Sequence, residues 1–225
     1  MGYALAYASC YALGVFYTGF ALSGNAQTTT IFEAKFGWDE DETIFYNTVI
    51  SSAAIVGLTA GAFIGGTLIK LGRRRGAIIS NFIGIISAAI PMIGSIPFLV
   101  IGRFLLGFAS GINNVVYGKM IVETLPERLA QKFAMLQSVS ICFGILAAFA
   151  MGAILPDPKD FEANEADENW RVIYLMPAFI SIFQIVLITL FFRHESIAFC
   201  IAKGEKQQSK QHMLRVYRKA DPSSP

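Results

Sequence analysis

Six apolar runs, each long enough to cross a bilayer, leave this chain little choice of architecture. A hydrocarbon core of about 30 Å takes about 20 helical residues to cross. In lipid every backbone N–H and C=O must find its partner within the protein, and a helix satisfies them segment by segment. The runs lie near residues 3–24, 46–70, 76–95, 97–121, 133–155 and 170–192. They predict an all-α fold, a polytopic membrane protein whose six-transmembrane-helix bundle occupies residues 1–193. The third and fourth runs are nearly continuous, parted only by the turn Gly94-Ser95-Ile96-Pro97. Residues 194–225 mix bases with Ile197, Phe199, Ile201 and Leu214, the pattern of a short amphipathic helix on the cytoplasmic membrane face, followed by a tail.

Composition narrows the function classes. Of 225 residues, 54% are hydrophobic and 15% charged, which suits a membrane bundle and not a globular enzyme. The net charge of +2, with no basic stripe interleaved with aromatics, excludes a nucleic-acid partner. Cys10, Cys142 and Cys200 are scattered, two of them inside apolar runs, and imply neither a disulfide framework nor a metal site. No cofactor motif is present. The opening residues carry no positive segment of the kind that starts a signal peptide, so the N-terminus is expected to begin at, or just before, a membrane helix.

Loop charges predict orientation. Lys70, Arg73, Arg74 and Arg75 follow the second run; Lys119, Arg128 and Lys132 flank the end of the fourth; a further basic cluster follows the sixth. Most of the 18 basic residues therefore share one side, and the positive-inside rule places both termini in the cytoplasm. On the opposite side the first loop, residues 25–43, is expected to be the long one, the second almost absent, and the third acidic, beginning at Pro156. That third loop reads as a solvated linker, or as a mouth that attracts cationic solutes.

The fourth run carries the densest information. Gly107, Ser110 and Gly111 share one helical face, where small residues let a second helix approach closely. A bulky residue at Gly111 is expected to disrupt that packing. Arg103 is a cation inside an apolar run, expensive unless it faces the protein interior or a water-filled cavity. The run is therefore an interior helix of the bundle.

Taken together, the Gly72-Arg73-Arg74 turn, Arg103 twenty positions before Glu123, the Glu123-x-x-Pro126 ending, Gly144, the Trp170-Arg171 pair and the His194-Glu195-Ser196 segment resemble the N-terminal half of a sugar porter of the major facilitator superfamily. The resemblance implies alternating access between two six-helix halves, of which this chain supplies one. It also implies a conformational switch at the cytoplasmic gate, with Gly72, Arg73, Arg74, Glu123, Arg128 and Glu195 as its candidates. The alternative for the turn alone is a tight connection with a basic flank.

Departures from the family pattern carry weight too. Ile69 stands where an Asp usually precedes the Gly-Arg-Arg turn; Gly118 and Met120 replace a Pro and a Tyr; Ala130, Ile197 and Ala198 replace further motif positions. Tyr17 stands at the place of the span-one Asp of proton-coupled members, and no run has an acid in its middle, so a facilitator is implied rather than a symporter. Arg103 then needs hydroxyl, carbonyl or water partners, Tyr17 first among them. Ser138 aligns with the family's sugar-binding Gln, while Gln137 lies one place earlier and about 100° around the helix. The substrate-binding candidates are Gln137, Ser138, Asn113 and Tyr17. Asn113, Asn114 and Ser140 serve equally well as interhelical hydrogen-bonding groups.

The expected function is transport of a small solute, most simply a sugar, by one half of a pathway completed by a homodimer or a second transporter half. The alternative is a non-transporting truncated paralogue, a regulatory membrane protein, or a fragment of a longer gene product. Catalysis within the membrane is disfavoured: His194 and His212 lie in the cytoplasmic tail, away from any acid at membrane depth, and no phosphate-binding loop is present. The expected environment is a lipid bilayer, with the plasma membrane and endomembranes left open.

Overall fold

The computed structural model describes residues 2–124, 127–158 and 160–191; the candidate Glu195 and the expected amphipathic segment lie outside them. Among these described residues seven α-helices follow in order: α1 Gly2–Phe36, α2 Glu40–Leu68, α3 Arg73–Ala89, α4 Ile96–Thr124, α5 Glu127–Gly152, the short α6 Phe161–Ala166, and α7 Trp170–Phe191. Single turns of 3-10 helix, Ile69–Leu71 and Ile90–Ile93, close α2 and α3.

Among the described residues, five helices are long and apolar enough to cross a membrane: those built on α2, α3, α4, α5 and α7. The remaining long helix, α1, has 35 residues and is about 52 Å long. It joins the bundle by packing against α4, α5 and α7. Its inner face is polar in places: Thr18, Asn25 and Thr28 are all buried.

The expected long loop over residues 25–43 is corrected here. Helix α1 runs through Phe36 and the connection shrinks to residues 37–39. The segment Asn25–Phe36 reads as polar, yet Asn25, Thr28, Ile31 and Phe32 fall on one helical face and are buried. Gly37, at φ 65°, ends the helix. Asp39 and Glu42 form a capping box that starts α2, the Asp39 carboxylate accepting from the Glu42 N–H at 2.8 Å. The acidic third loop holds α6, whose N-terminus is capped by Asp160.

Two glycine seams set the helix order in space. A Cβ at Gly107 or Gly111 of α4 would run into the carbonyl oxygens of Ala54 or Leu58 on α2. Gly57 and Gly61 of α2 meet those of Phe104 and Phe108 in return. Likewise Gly19 of α1 meets Ile141 of α5, and Gly144 of α5 meets Phe16 of α1. Backbones this close exchange dispersion contacts along the whole crossing, which is how helices associate where burial from water contributes nothing. The outward faces carry Phe63, Phe82, Phe143 and Phe179, all more than half exposed, as lipid-facing side chains should be.

Candidate transport site

Arg103 occupies the first third of α4 and is 3% exposed. Its Nη1 donates to the Ala21 carbonyl at 2.7 Å and its Nη2 to the Leu22 carbonyl at 3.3 Å, both on α1. Tyr17, the first partner expected of it, lies one helical turn earlier. The Tyr17 ring packs with Ala21, Leu106, Ala109 and Ile180, and its hydroxyl sits over Gly84 of α3 beside the Ser181 hydroxyl of α7. The cation is therefore solvated by backbone dipoles. Each charge-assisted bond of this kind contributes about 1.5–3 kcal/mol. Beside it lies a small cavity bordered by Gly24, Arg103, Ile173, Tyr174 and Pro177, with room for about one water molecule. Pro177 lacks an N–H, so the Ile173 carbonyl one turn back loses its helical partner at this place.

The other solute-binding candidates divide by exposure. Asn113 is buried and its side-chain oxygen accepts from the Ser80 hydroxyl, joining α4 to α3. The neighbouring bond, Asn81 Nδ2 to the Tyr117 hydroxyl at 3.1 Å, crosses the same seam. Asn114 is half-buried and accepts from Thr18 of α1 at 3.4 Å. On α5, Gln137 is half-buried and Ser138 exposed, with exposed Cys142 one turn further on. Of the four solute-binding candidates, Gln137 and Ser138 keep accessible surface, while Tyr17 and Asn113 are buried.

At the Arg73 end of the bundle two gate candidates meet. Arg73 Nε donates to Glu123 Oε2 at 2.8 Å and Nη2 to Oε1 at 2.6 Å, a bidentate pair that ties the start of α3 to the end of α4. Nη1 reaches the Ile69 carbonyl at 3.2 Å. Gly72, at φ 124°, makes the reversal from the 3-10 turn into α3 and so points Arg73 back at α4. Arg74 is half-buried beside them. Arg128 lies in α5, with its side chain outside the described set.

Sequence reasoning missed a polar network at the opposite half of α1. Asn25 Nδ2 donates to Asn47 Oδ1 at 2.7 Å and to Ser51 Oγ at 3.2 Å, both on α2. Its Oδ1 accepts from the Tyr174 hydroxyl of α7 at 3.1 Å, and Thr29 donates to Asn47 at 3.3 Å. The signal was present as Asn25, Thr28 and Thr29 at helical spacing, but only to a reader who continued α1 past residue 24. Beyond the network, Lys35 of α1 donates to the Asp167 carbonyl at 2.8 Å and pairs with Glu168 at 2.9 Å; Arg171 pairs with the same carboxylate at 2.6 Å. The Lys35 hydrogen bond holds the Glu168 carboxyl below the usual range.

The model of the sugar (and other) transporter family matches residues 7–224. The chain belongs to this transporter family. A hexose transporter of Plasmodium vivax is 25% identical over 222 residues, 93% of this chain and 44% of that one. A hexose transporter of Toxoplasma gondii is 26% identical over 224 residues, 91% and 39% of the two chains. A myo-inositol transporter of Cryptococcus neoformans is 29% identical over 172 residues, 75% and 30%. Among solved structures, the proton:xylose symporter XylE bound to 6-bromo-6-deoxy-D-glucose matches with a TM-score of 0.81 at 18% identity, over 96% of this chain and 50% of that one. The chain thus has the fold of a major facilitator sugar porter and spans half or less of the length of each of these relatives.

Proposed function

We propose that this chain forms one wall of an alternating-access pathway for a sugar, with both termini in the cytoplasm and a second six-helix half, or a second copy, as the other wall. The observation that carries the solute class is the family match over residues 7–224. Hexose and inositol are what the named relatives are described as carrying, and they supply the first solutes to try. Gln137 and Ser138 of α5 are the proposed solute contacts, because both remain accessible while Tyr17 and Asn113 are enclosed by neighbouring helices.

Transport is proposed to be uncoupled from protons. The support is Arg103, whose hydrogen bonds among the described residues go to two carbonyls that do not titrate. Coupling needs a group whose pKa moves with conformation, and a backbone carbonyl offers none. At the cytoplasmic gate, Arg73 and Glu123 would hold one state and separate in the other.

The test is uptake of labelled hexose by proteoliposomes holding the purified chain, with and without an imposed pH gradient, together with the oligomeric mass. Saturable uptake unaffected by the gradient is expected. Uptake driven by the gradient would sink the uncoupled reading. A monomer without uptake would favour the second reading, a regulatory membrane protein or part of a longer one, which the half-length coverage of the relatives supports.

A further inference from the structure

We propose that the Trp170 end of the bundle holds a phospholipid by its headgroup phosphate, in a pocket whose donors are Lys35 and Arg171 beside the ring of Trp170. The pocket has a volume of about 240 Å3 and is lined by Phe32, Lys35, Ile93, Leu99, Trp170 and Arg171, with Gly94 at its lip. Three apolar spans reach their ends around it: one finishes at Ile93, one starts at Ile96 and one starts at Trp170. That places it where hydrocarbon gives way to headgroups, the level that Trp, Lys and Arg favour.

Its chemistry is one-sided. Lys, Arg and Trp donate hydrogen bonds and accept none. Lys35 uses two of its three N–H groups, on the Asp167 carbonyl and Glu168 Oε1. Arg171 meets Glu168 through Nε, and its two terminal amino groups have no hydrogen bond among the described residues. Trp170 is 1% exposed and forms an aromatic wall of the pocket. Both cations lie over its ring, Lys35 Nζ 5.7 Å and Arg171 Cζ 5.6 Å from the centroid. Aromatic walls and spare donors suit an anion with several acceptor oxygens, and Arg and Lys beside each other suit phosphate in particular.

Charge agrees. Two cations share one carboxylate, Glu168, which leaves one positive charge to meet a singly charged phosphodiester. The carboxylate of Asp167 accepts from Asn169 and does not line the pocket. The rim decides between a lipid and free phosphate. Ile93 is 62% exposed, and Phe98 and Val172 are exposed nearby, an apolar surface on which acyl chains can lie and for which an inorganic ion has no use.

The experiment is native mass spectrometry of the full chain in detergent, titrated with phosphatidylglycerol, phosphatidylcholine or inorganic phosphate. Phosphatidylglycerol is expected to bind in preference to phosphatidylcholine, with inorganic phosphate failing to displace it at equal concentration. The double variant Lys35→Gln, Arg171→Gln should weaken it by about tenfold or more. Glu168→Gln should tighten it, because the internal competitor for both cations is gone. Undiminished binding by the double variant overturns the site, and displacement by inorganic phosphate overturns its assignment to a lipid. Should the double variant fail to fold, Glu168→Gln alone decides: tighter binding supports the proposal, and unchanged or weaker binding overturns it.

Discussion

Arg103 and Arg73 are both drawn out of water, yet they are held in opposite ways. Arg103 rests on two main-chain carbonyls of α1, fixed by the helix that carries them. Arg73 rests on the side chain of Glu123, a partner that can leave. The helix dipoles sharpen the contrast. Arg73 is a cation at the N-terminus of α3, and Glu123 is an anion in the last turn of α4, so each sits at the unfavourable end of its helix. Neither charge is placed to stabilise its own helix, and the bidentate pair offsets both. A structural cation belongs on a backbone, and a switch belongs on a pair whose separation has a definite cost.

The largest effect is expected from the element both arginines depend on, the position of α4. Gly111→Leu drives a side chain into the Leu58 carbonyl of α2 and should cost more than about 3 kcal/mol. Loss of the monodisperse folded species in detergent would register it. A variant that folds and melts like the parent would refute the tight α2–α4 seam, and with it the geometry around both arginines.

Next comes Glu123→Ala, which takes the bidentate carboxylate from Arg73, a side chain 14% exposed that keeps the Ile69 carbonyl. The loss should be about 3 kcal/mol, at the low end for a buried pair because the site is not fully dry. The reversal Arg73→Glu with Glu123→Arg should recover it and melt above the parent, since both charges then agree with their helix dipoles. If Arg73–Glu123 is the gate, that reversed protein transports more slowly despite its stability. Melting curves and uptake rates read the two consequences separately.

Arg103→Met tests the other side of the comparison. The Ala21 and Leu22 carbonyls stay within an intact helix, and a costly buried charge is removed, so stability should change by no more than about 1 kcal/mol in either direction. A loss as large as that of Glu123→Ala would abolish the distinction drawn between the two arginines.

The smallest effect concerns the exposed pair of Lys35 with Glu168. The folded-state pKa of Glu168 is depressed, first by the Lys35 hydrogen bond. Such a group contributes stability above its unfolded value, about 4.3, and loses that contribution as pH falls through the folded value. Thermal stability should therefore soften slightly in acid, and Glu168→Gln should remove that slope by lowering the plateau near neutrality slightly, to the level the parent reaches in acid. An unchanged slope in the variant would show that Glu168 is not its source.

Much of the fold was legible in the sequence because lipid permits so few alternatives. Apolar runs of bilayer length must be helices, and Arg103 within one of them must face inward. Gly107 and Gly111 announced a close helix contact on one face, although nothing in their spacing named α2 as the partner. Gly72, Arg73 and Glu123 could be linked as gate candidates by motif, while the two-oxygen grip between them needed coordinates. Two readings ran short. Residues 25–36 look like a polar loop because local composition cannot show that Asn25 has Asn47, Ser51 and Tyr174 waiting on other helices. Tyr17 looked like the natural partner of Arg103, but an arginine is long enough to choose between successive turns of its neighbour.

The sequence by itself determined the membrane helices and the inner position of α4, because apolar length and backbone hydrogen bonding are local requirements that each segment meets alone; its motifs, and not its apolar length, carried the resemblance to a transporter family. Only the tertiary structure decided where α1 ends, which carbonyls solvate Arg103 and which donors gather around Trp170. Those outcomes depend on groups far apart in the chain, and a polar atom inside a bundle is satisfied by whatever packing brings within about 3 Å of it.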